Sequence, residues 1–227
     1  MKKEIENFEF WNEEMAKKYN PDAYHNSRNI IVRWVENKRA ATVIRFLDAR
    51  EGEDILEVGC GAGNILEKIK KGNLVGVDIS EFMLGLAKKK LLGQGAKLYK
   101  DDAEDLSSEV KDMKFDKIFC SEVLEHVRDP KKVLFQIARL CKPSAKVVIS
   151  VPNERLINKL KGLFQKLRIF DIFFRGISKK MDDEWHLHVF DMRMLSEIGA
   201  NYFSESKKAG IPFDWLPLHY VILFFKK

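Results

Sequence analysis

Asp54-Ile55-Leu56-Glu57-Val58-Gly59-Cys60-Gly61-Ala62-Gly63-Asn64 joins an apolar, β-branched run to three glycines at alternate positions. A run of this kind bounded by Gly predicts a buried strand, and the glycines let the chain turn sharply with its backbone against a ligand. Residues 65–70 then start a helix. In open α/β sheets a turn of this type sits at the carboxyl end of a strand, where nucleotide-like ligands bind.

A dinucleotide turn needs the frame G-x-G-x-x-G, so that a pyrophosphate can rest on the helix N-terminus. Counted from Gly59, the last position of that frame is Asn64, and Gly63 comes one residue early. The carboxylate of Glu57 would also repel a pyrophosphate, whereas it suits a cation. A tight turn with no ligand is the plain structural alternative. Acid-x-Gly-x-Gly-x-Gly, here Glu57 to Gly63, resembles the first motif of the class I S-adenosylmethionine-dependent methyltransferases. Their ligand carries a sulfonium and an ammonium and no phosphate. The resemblance covers residues 50–153 well and the rest in architecture alone.

Working outward, residues 73–80 form a second buried strand ending in Asp78, an acid placed to accept two hydrogen bonds from a ribose diol. Ile79 and Met83 lie where an adenine could rest. A helix over residues 81–92 leads to a third strand, 96–100, and to Asp101-Asp102-Ala103-Glu104-Asp105. The resemblance implies that Asp102 and Ala103 meet the adenine, although acids here also suit the first turn of a helix. A fourth strand, 115–120, runs into Ser121, which the resemblance sets beside the methionine moiety. A helix over 130–141, a strand over 145–151, a helix over 191–198 and strands over 199–208 and 220–225 follow. The expectation is an α/β protein: a seven-stranded, mostly parallel Rossmann-like sheet with helices on both faces. Its last strand is antiparallel, and a helical insertion follows strand five. The organisation reads as an N-terminal helical segment (1–50), a cofactor-binding core (51–153), a basic cap (154–190) and a completion of the sheet (191–227). In the family the N-terminal segment covers the cofactor mouth with a tyrosine nearby, a role for Tyr19 or Tyr24; both could equally pack the segment onto the core.

Methyl transfer from a sulfonium is an in-line displacement, so the protein's tasks are to position the acceptor and remove its proton. His126, just past the fourth strand, is the leading candidate base, because an imidazole titrates near neutral pH. His188 is a second candidate. Glu122-x-x-Glu125-His126 resembles the metal-binding motif of the O-methyltransferases of ubiquinone biosynthesis and of the 2′-O-methyltransferases of small RNA 3′ ends. With His186 it could hold Mg²⁺, Mn²⁺ or Zn²⁺, which would lower the pKa of an acceptor hydroxyl. The same Glu-x-Leu-Glu-His-Val stretch is common in metal-free small-molecule methyltransferases, where its acids cap a helix or face solvent. His186 and His188, two apart, would share a face on a strand, and a satisfied core histidine is the plain reading of each. His25 and His219 have no partner that the sequence suggests.

The 227 residues suffice for one α/β domain with decoration. With 45% hydrophobic and 33% charged residues, the composition is that of a globular protein, and no run reaches transmembrane length. Cys60, Cys120 and Cys141 lack metal-ligand spacing and read as free core thiols of a reducing, cytoplasmic compartment. The net charge of +6 is local: residues 155–180 hold eight Lys or Arg against Asp171 alone. Leu156, Leu160, Leu163, Phe164 and Leu167 recur there at helical intervals, and Phe170, Phe173 and Phe174 follow. Such a segment suits an anionic membrane surface or a greasy substrate, or it is a cap with a solvated basic face. Nucleic acid would also answer the charge, but stacking readers interleave aromatics among the bases rather than forming an aliphatic stripe. The combined expectation is an S-adenosylmethionine-dependent methyltransferase acting on a small, lipid-like acceptor, at a hydroxyl first and with carbon and nitrogen open. A peripheral membrane or partner-binding module with a vestigial cofactor fold is the alternative, followed by a nicotinamide-dependent oxidoreductase.

Overall fold

The computed structural model describes residues 5–25, 27, 29–168 and 184–227. Strand β1 (Asp54–Val58) lies centrally and pairs in parallel with β2 (Asn73–Asp78) on one side and β4 (Phe115–Ser121) on the other. Outside these lie β3 (Lys97–Lys100) and β5 (Cys141–Pro152). The sheet is completed by β6 (Phe203–Phe213) and β7 (Leu216–Lys226), in the order β3-β2-β1-β4-β5-β7-β6. Strand β7 runs antiparallel to both neighbours, so the expected seven-stranded, mostly parallel sheet is the one observed.

Period-2 alternation divides the apolar residues between two layers. Leu56, Val58, Ile118, Val147, Ile149, Ile222 and Phe224 pack with α6 (Pro130–Leu140) and α8 (Met192–Gly199). Ile55, Phe119, Val148, Val221 and Leu223 pack with α3 (Ile30–Leu47) and α4 (Glu81–Lys90) on the other face. The N-terminal segment also contains α1 (Phe8–Tyr19) and α2 (Asp22–His25). A third cluster seats α1 on α4 over the glycine turn, through Ala16, Ala62, Met83 and Trp185. The short α5 (Ser108–Lys111) precedes β4, and α7 (Glu154–Lys166) follows β5.

Several boundaries differ from expectation, among them the start of β5, at Cys141 rather than 145. The helix expected over 65–70 is a single 3-10 turn, Leu66–Lys68. Ile65, Leu66 and Ile69 are all buried, and Gly72 (φ +89°) then swings the chain into β2, whose Asn73 N–H donates to the Glu53 carbonyl at 2.8 Å. So short a return leaves no room for a longer helix. Strand β6 starts at Phe203 rather than 199, because α8 runs on to Gly199, where a Cβ would lie 2.7 Å from the Phe224 ring. Strand β7 begins at Leu216, across a tight turn from Phe213. Cys60, Cys120 and Cys141 are buried and free, as expected. Of the basic span, the part to Arg168 is described; residues 169–183, including Phe173 and Phe174, lie outside the described residues, as does the side chain of Tyr24. Among the described residues no helix is long and apolar enough to cross a membrane.

Candidate active site

Parallel strands bring their carboxyl ends together, and the strand order reverses between β1 and β4, the place where a crevice opens in such sheets. Gly59, Gly61 and Gly63 all have φ in the left-handed region, +71°, +50° and +74°. At Gly59 a Cβ would lie 2.2 Å from a methyl of Val123, so this glycine also lets the loop after β4 close on the turn. The turn is tied to β2: Gly59 and Cys60 donate to the Val77 carbonyl, each at 2.8 Å, and Gly61 N–H donates to the Asp78 carboxylate at 2.7 Å. The other Asp78 oxygen accepts from Ser80 N–H at 2.8 Å.

A cavity of about 520 Å³ opens above this turn. Glu57, Gly59, Gly61, Asp78, Ile79, Met83, Asp102, Ala103 and Ser121 all line it. Gly63 does not; it acts through its backbone and its packing against Leu91. Tyr19 does not either: its ring stacks 6.2 Å from Trp185 and its hydroxyl donates to Glu184, which is the packing role that was its alternative. Glu57 is only 3% exposed, and one of its carboxylate oxygens has no partner. Burial pushes this carboxyl well above the ordinary range, with Arg39 opposing. Burial also raises Asp78 and Asp102, the latter against the pull of Arg128 at 2.8 Å. Asn64, where a dinucleotide frame places its last glycine, instead bonds Lys90 through its side chain.

Beyond Ser121 the two glutamates part. Glu122 has φ +57°, which turns its carboxylate onto Ser150 Oγ (2.9 Å) and His219 Nδ1 (2.8 Å). Ser150 Oγ meets Ser121 Oγ at 2.7 Å, Ser121 accepts from the Arg39 guanidinium, and Arg39 donates to Glu36 at 2.5 Å. Glu36 in turn lies 3.6 Å from His219 Nε2, which closes a buried ring of six side chains. Burial opposes charge on Glu122 and His219 alike. The His219 and Arg39 charges nevertheless hold Glu122 below the usual carboxylate range, and Glu122 with Glu36 holds His219 above the usual imidazole range.

Glu125 points the other way. Its ligand atoms and those of His126 and His186 all lie within 4.8 Å of one another, so three of the four expected metal ligands come together and Glu122 does not. Burial and the Glu122 charge push Glu125 well up. Burial and His186 push His126 well down, so its imidazole is neutral, wedged 4.4 Å from Trp185 and 4.7 Å from His186. His186 Nδ1 meets Glu154 at 2.8 Å. His188 is not part of this group: it lies outside the cavity with Nε2 3.2 Å from the Arg128 carbonyl. The chain from 186 is not a strand, so the shared face expected for His186 and His188 does not form.

A family model described as a methyltransferase domain matches residues 49–192. The chain belongs to this family. Among curated relatives, the ubiquinone biosynthesis O-methyltransferase of Dechloromonas aromatica is 40% identical over 106 residues, 45% of either chain. That of Coxiella burnetii (strain Dugway 5J108-111) is 32% identical over 153 residues, 66% of this chain and 64% of its own. The chain thus spans about half the length of the curated relatives it matches. Among solved structures, magnesium protoporphyrin IX methyltransferase from Synechocystis PCC 6803 with bound S-adenosylhomocysteine superposes with a TM-score of 0.69 at 16% identity, over 97% of this chain and all of the other. The N-methyltransferase NodS from Bradyrhizobium japonicum WM9, in complex with S-adenosylhomocysteine, gives 0.68 at 16% identity over 96% and 97%. These two likenesses carry the fold.

The residues present in this methyltransferase domain suit a ligand with cationic groups and a diol. They offer a buried carboxyl with one unpartnered oxygen, a backbone that only glycine adopts comfortably, and an acid at the end of β2. Several cavity residues belong to no motif of the sequence. Arg39 and Glu36 sit on α3, within an N-terminal segment whose sequence carries no site motif, and His219 lies in an apolar strand. Glu13 of α1 accepts from Ser80 Oγ at 2.7 Å and Phe82 N–H at 3.2 Å, pinning α1 to the start of α4. Polar residues on otherwise apolar faces were the available clue.

Proposed function

We infer that this chain transfers the methyl group of S-adenosylmethionine to a hydroxyl of a small acceptor with an apolar body. The observation that carries this reading is the buried Glu57 carboxyl, one oxygen of which has no partner, in one cavity with the imidazole of His126. Bound S-adenosylmethionine supplies a methyl group on a sulfonium, which an oxygen displaces in line as the carbon–sulfur bond breaks and S-adenosylhomocysteine is left. Glu57 and the Gly59–Gly61 backbone hold the methionine end with Ser121 beside it, Asp78 takes the ribose diol, and Ile79, Met83, Asp102 and Ala103 hold the adenine. His126, whose Nδ1 is buried without a partner, takes the hydroxyl proton. Val35, Ile157, Leu160, Phe164 and Leu218 line the same cavity and suit an apolar acceptor body. The name of the curated relatives supports an oxygen acceptor.

A divalent metal is the second reading, favoured by the approach of Glu125, His126 and His186 and by the unpartnered atoms on the first two. These three residues would hold it, and its charge would lower the pKa of an acceptor hydroxyl. The test is calorimetric titration of S-adenosylhomocysteine into EDTA-treated protein, then of Mg²⁺, Mn²⁺ or Zn²⁺. Micromolar cofactor binding is expected, and its absence would overturn the methyl-transfer reading. A metal heat lost in both Glu125→Ala and His126→Ala would favour the second reading; no metal heat leaves His126 as the base.

A further inference from the structure

The cavity opens beside a greasy patch that no other part of the described chain covers. Ile31 of α3 and Leu216 of the β6–β7 hairpin line it. Next to them Ile30, Trp34 and Trp215 are 71%, 45% and 77% exposed. The three rings of this surface are continuous: Trp34 lies 5.8 Å from Phe213, and Phe213 stacks 5.2 Å from Trp215. Lys38 holds its ammonium 4.4 Å from the Phe213 centroid and 5.3 Å from that of Trp34.

Large exposed apolar patches mark interaction surfaces, and the charge around this one states which kind. Along the outward face of α3 the residues at helical spacing are Ile30, Trp34, Lys38, Ala41 and Arg45, apolar or cationic without a carboxylate. The one acid of the hairpin turn, Asp214, is tied back to Gly210 N–H at 2.6 Å. A second copy of the chain meeting this face would bring the cations of Lys38 and Arg45 against a surface of the same sign with no free carboxylate to receive them. Indoles with an apolar body and a polar N–H, flanked by cations, match the boundary between acyl chains and anionic headgroups.

We propose that the α3 and β6–β7 hairpin surface, centred on Trp34, Phe213 and Trp215, docks on an anionic phospholipid bilayer, so that the cavity opens toward the lipid. An apolar acceptor would then enter without crossing water. This rests on the reading of the cavity as a methyl-transfer site for such an acceptor.

The test sediments the full chain with phosphatidylcholine vesicles and with the same vesicles carrying phosphatidylglycerol. The double variant Trp34→Ser, Trp215→Ser and the single variant Lys38→Glu are run beside it. The wild-type chain is expected to pellet with the anionic vesicles and to release as salt rises, and the double variant to lose about tenfold in vesicle affinity or more. Lys38→Glu loses a smaller factor. Brominated acyl chains quench tryptophan fluorescence in wild type and much less in the double variant. S-adenosylhomocysteine affinity, measured by calorimetry, stays unchanged in all three. Intact cofactor binding without pelleting overturns the docking surface alone, whereas loss of cofactor binding in wild type overturns the methyl-transfer reading. Undiminished pelleting of the double variant puts the membrane contact elsewhere and also overturns the proposal. So does a concentration-dependent dimer, seen by sedimentation velocity, that the double variant abolishes.

Discussion

Glu57 is a carboxyl that the fold buries with one oxygen left unpartnered. Such a group ordinarily costs stability, because its charge is desolvated and its oxygen finds no donor. It is tolerable where a cationic ligand completes it, and it was legible in the sequence because it lies two residues before the first glycine. Glu57→Gln keeps the shape and removes the charge. It is expected to weaken S-adenosylmethionine binding by about tenfold or more, equivalent to about 1.4 kcal/mol, while thermal stability holds or rises. Calorimetry and a melting curve check both; an unchanged affinity would sink the assignment. Glu122 and Glu125 were equally visible as a pair, but their opposite directions were not. The left-handed φ of Glu122 separates them, and a non-glycine residue does not announce such a φ.

Helix α1 shows how an element can serve a site from which its own sequence is remote. Its Glu13 accepts at the start of α4, its Asn12 accepts from Trp185 Nε1 at 3.0 Å, and its Phe8 lies 4.4 Å beneath the Arg128 guanidinium. Phe8, Asn12 and Ala16 also line the cavity, so the helix is a wall of the site as well as a cover. Burial alone would raise the Glu13 carboxyl, but hydrogen bonds from Ser80, Phe82 and Lys17 carry it below its ordinary value. Glu13→Ala removes a capping contact of about 1 kcal/mol and is expected to speed release of S-adenosylhomocysteine about fivefold. Stopped-flow displacement measures the rate, and a release rate equal to wild type would show that α1 does not gate the cavity. The position of α1 near the cofactor was readable only as a family habit; the contact that holds it joins residues 67 apart.

At the scale of the molecule, the polar interior sets how stability depends on pH. His25 is pushed down to about 4 by burial, with the nearby Arg39, Lys68 and Lys90 charges adding to this and Glu36 opposing. His126 lies well below its ordinary value for the same leading reason. A histidine whose folded pKa is depressed stays neutral in the fold while the unfolded chain takes up the proton. Stability is therefore full above the unfolded value, about 6.5, and falls as pH drops toward the folded one. For His25 the loss approaches about 3 kcal/mol by pH of about 4. His219, with a raised pKa, acts in the opposite sense: its contribution is complete below the unfolded value and fades as pH rises through the folded one. Urea unfolding at a series of pH values should show a steep acid limb that becomes shallower in His25→Asn. Parallel acid limbs in the two proteins would remove His25 from this account.

The amino-acid sequence by itself determined the strand, glycine turn and acid of the cofactor end, and the alternation that builds a two-faced sheet. These signals are local: a left-handed glycine, a period of two and an acid at a strand terminus each act within a few residues. Tertiary structure alone decided which charges meet on the acceptor side. Arg39 reaches Ser121 across 82 positions, and His219 reaches Glu122 across 97. A buried charge takes whatever partner the packed sheet brings within hydrogen-bond range, and that proximity is a property of the strand order rather than of any spacing along the chain.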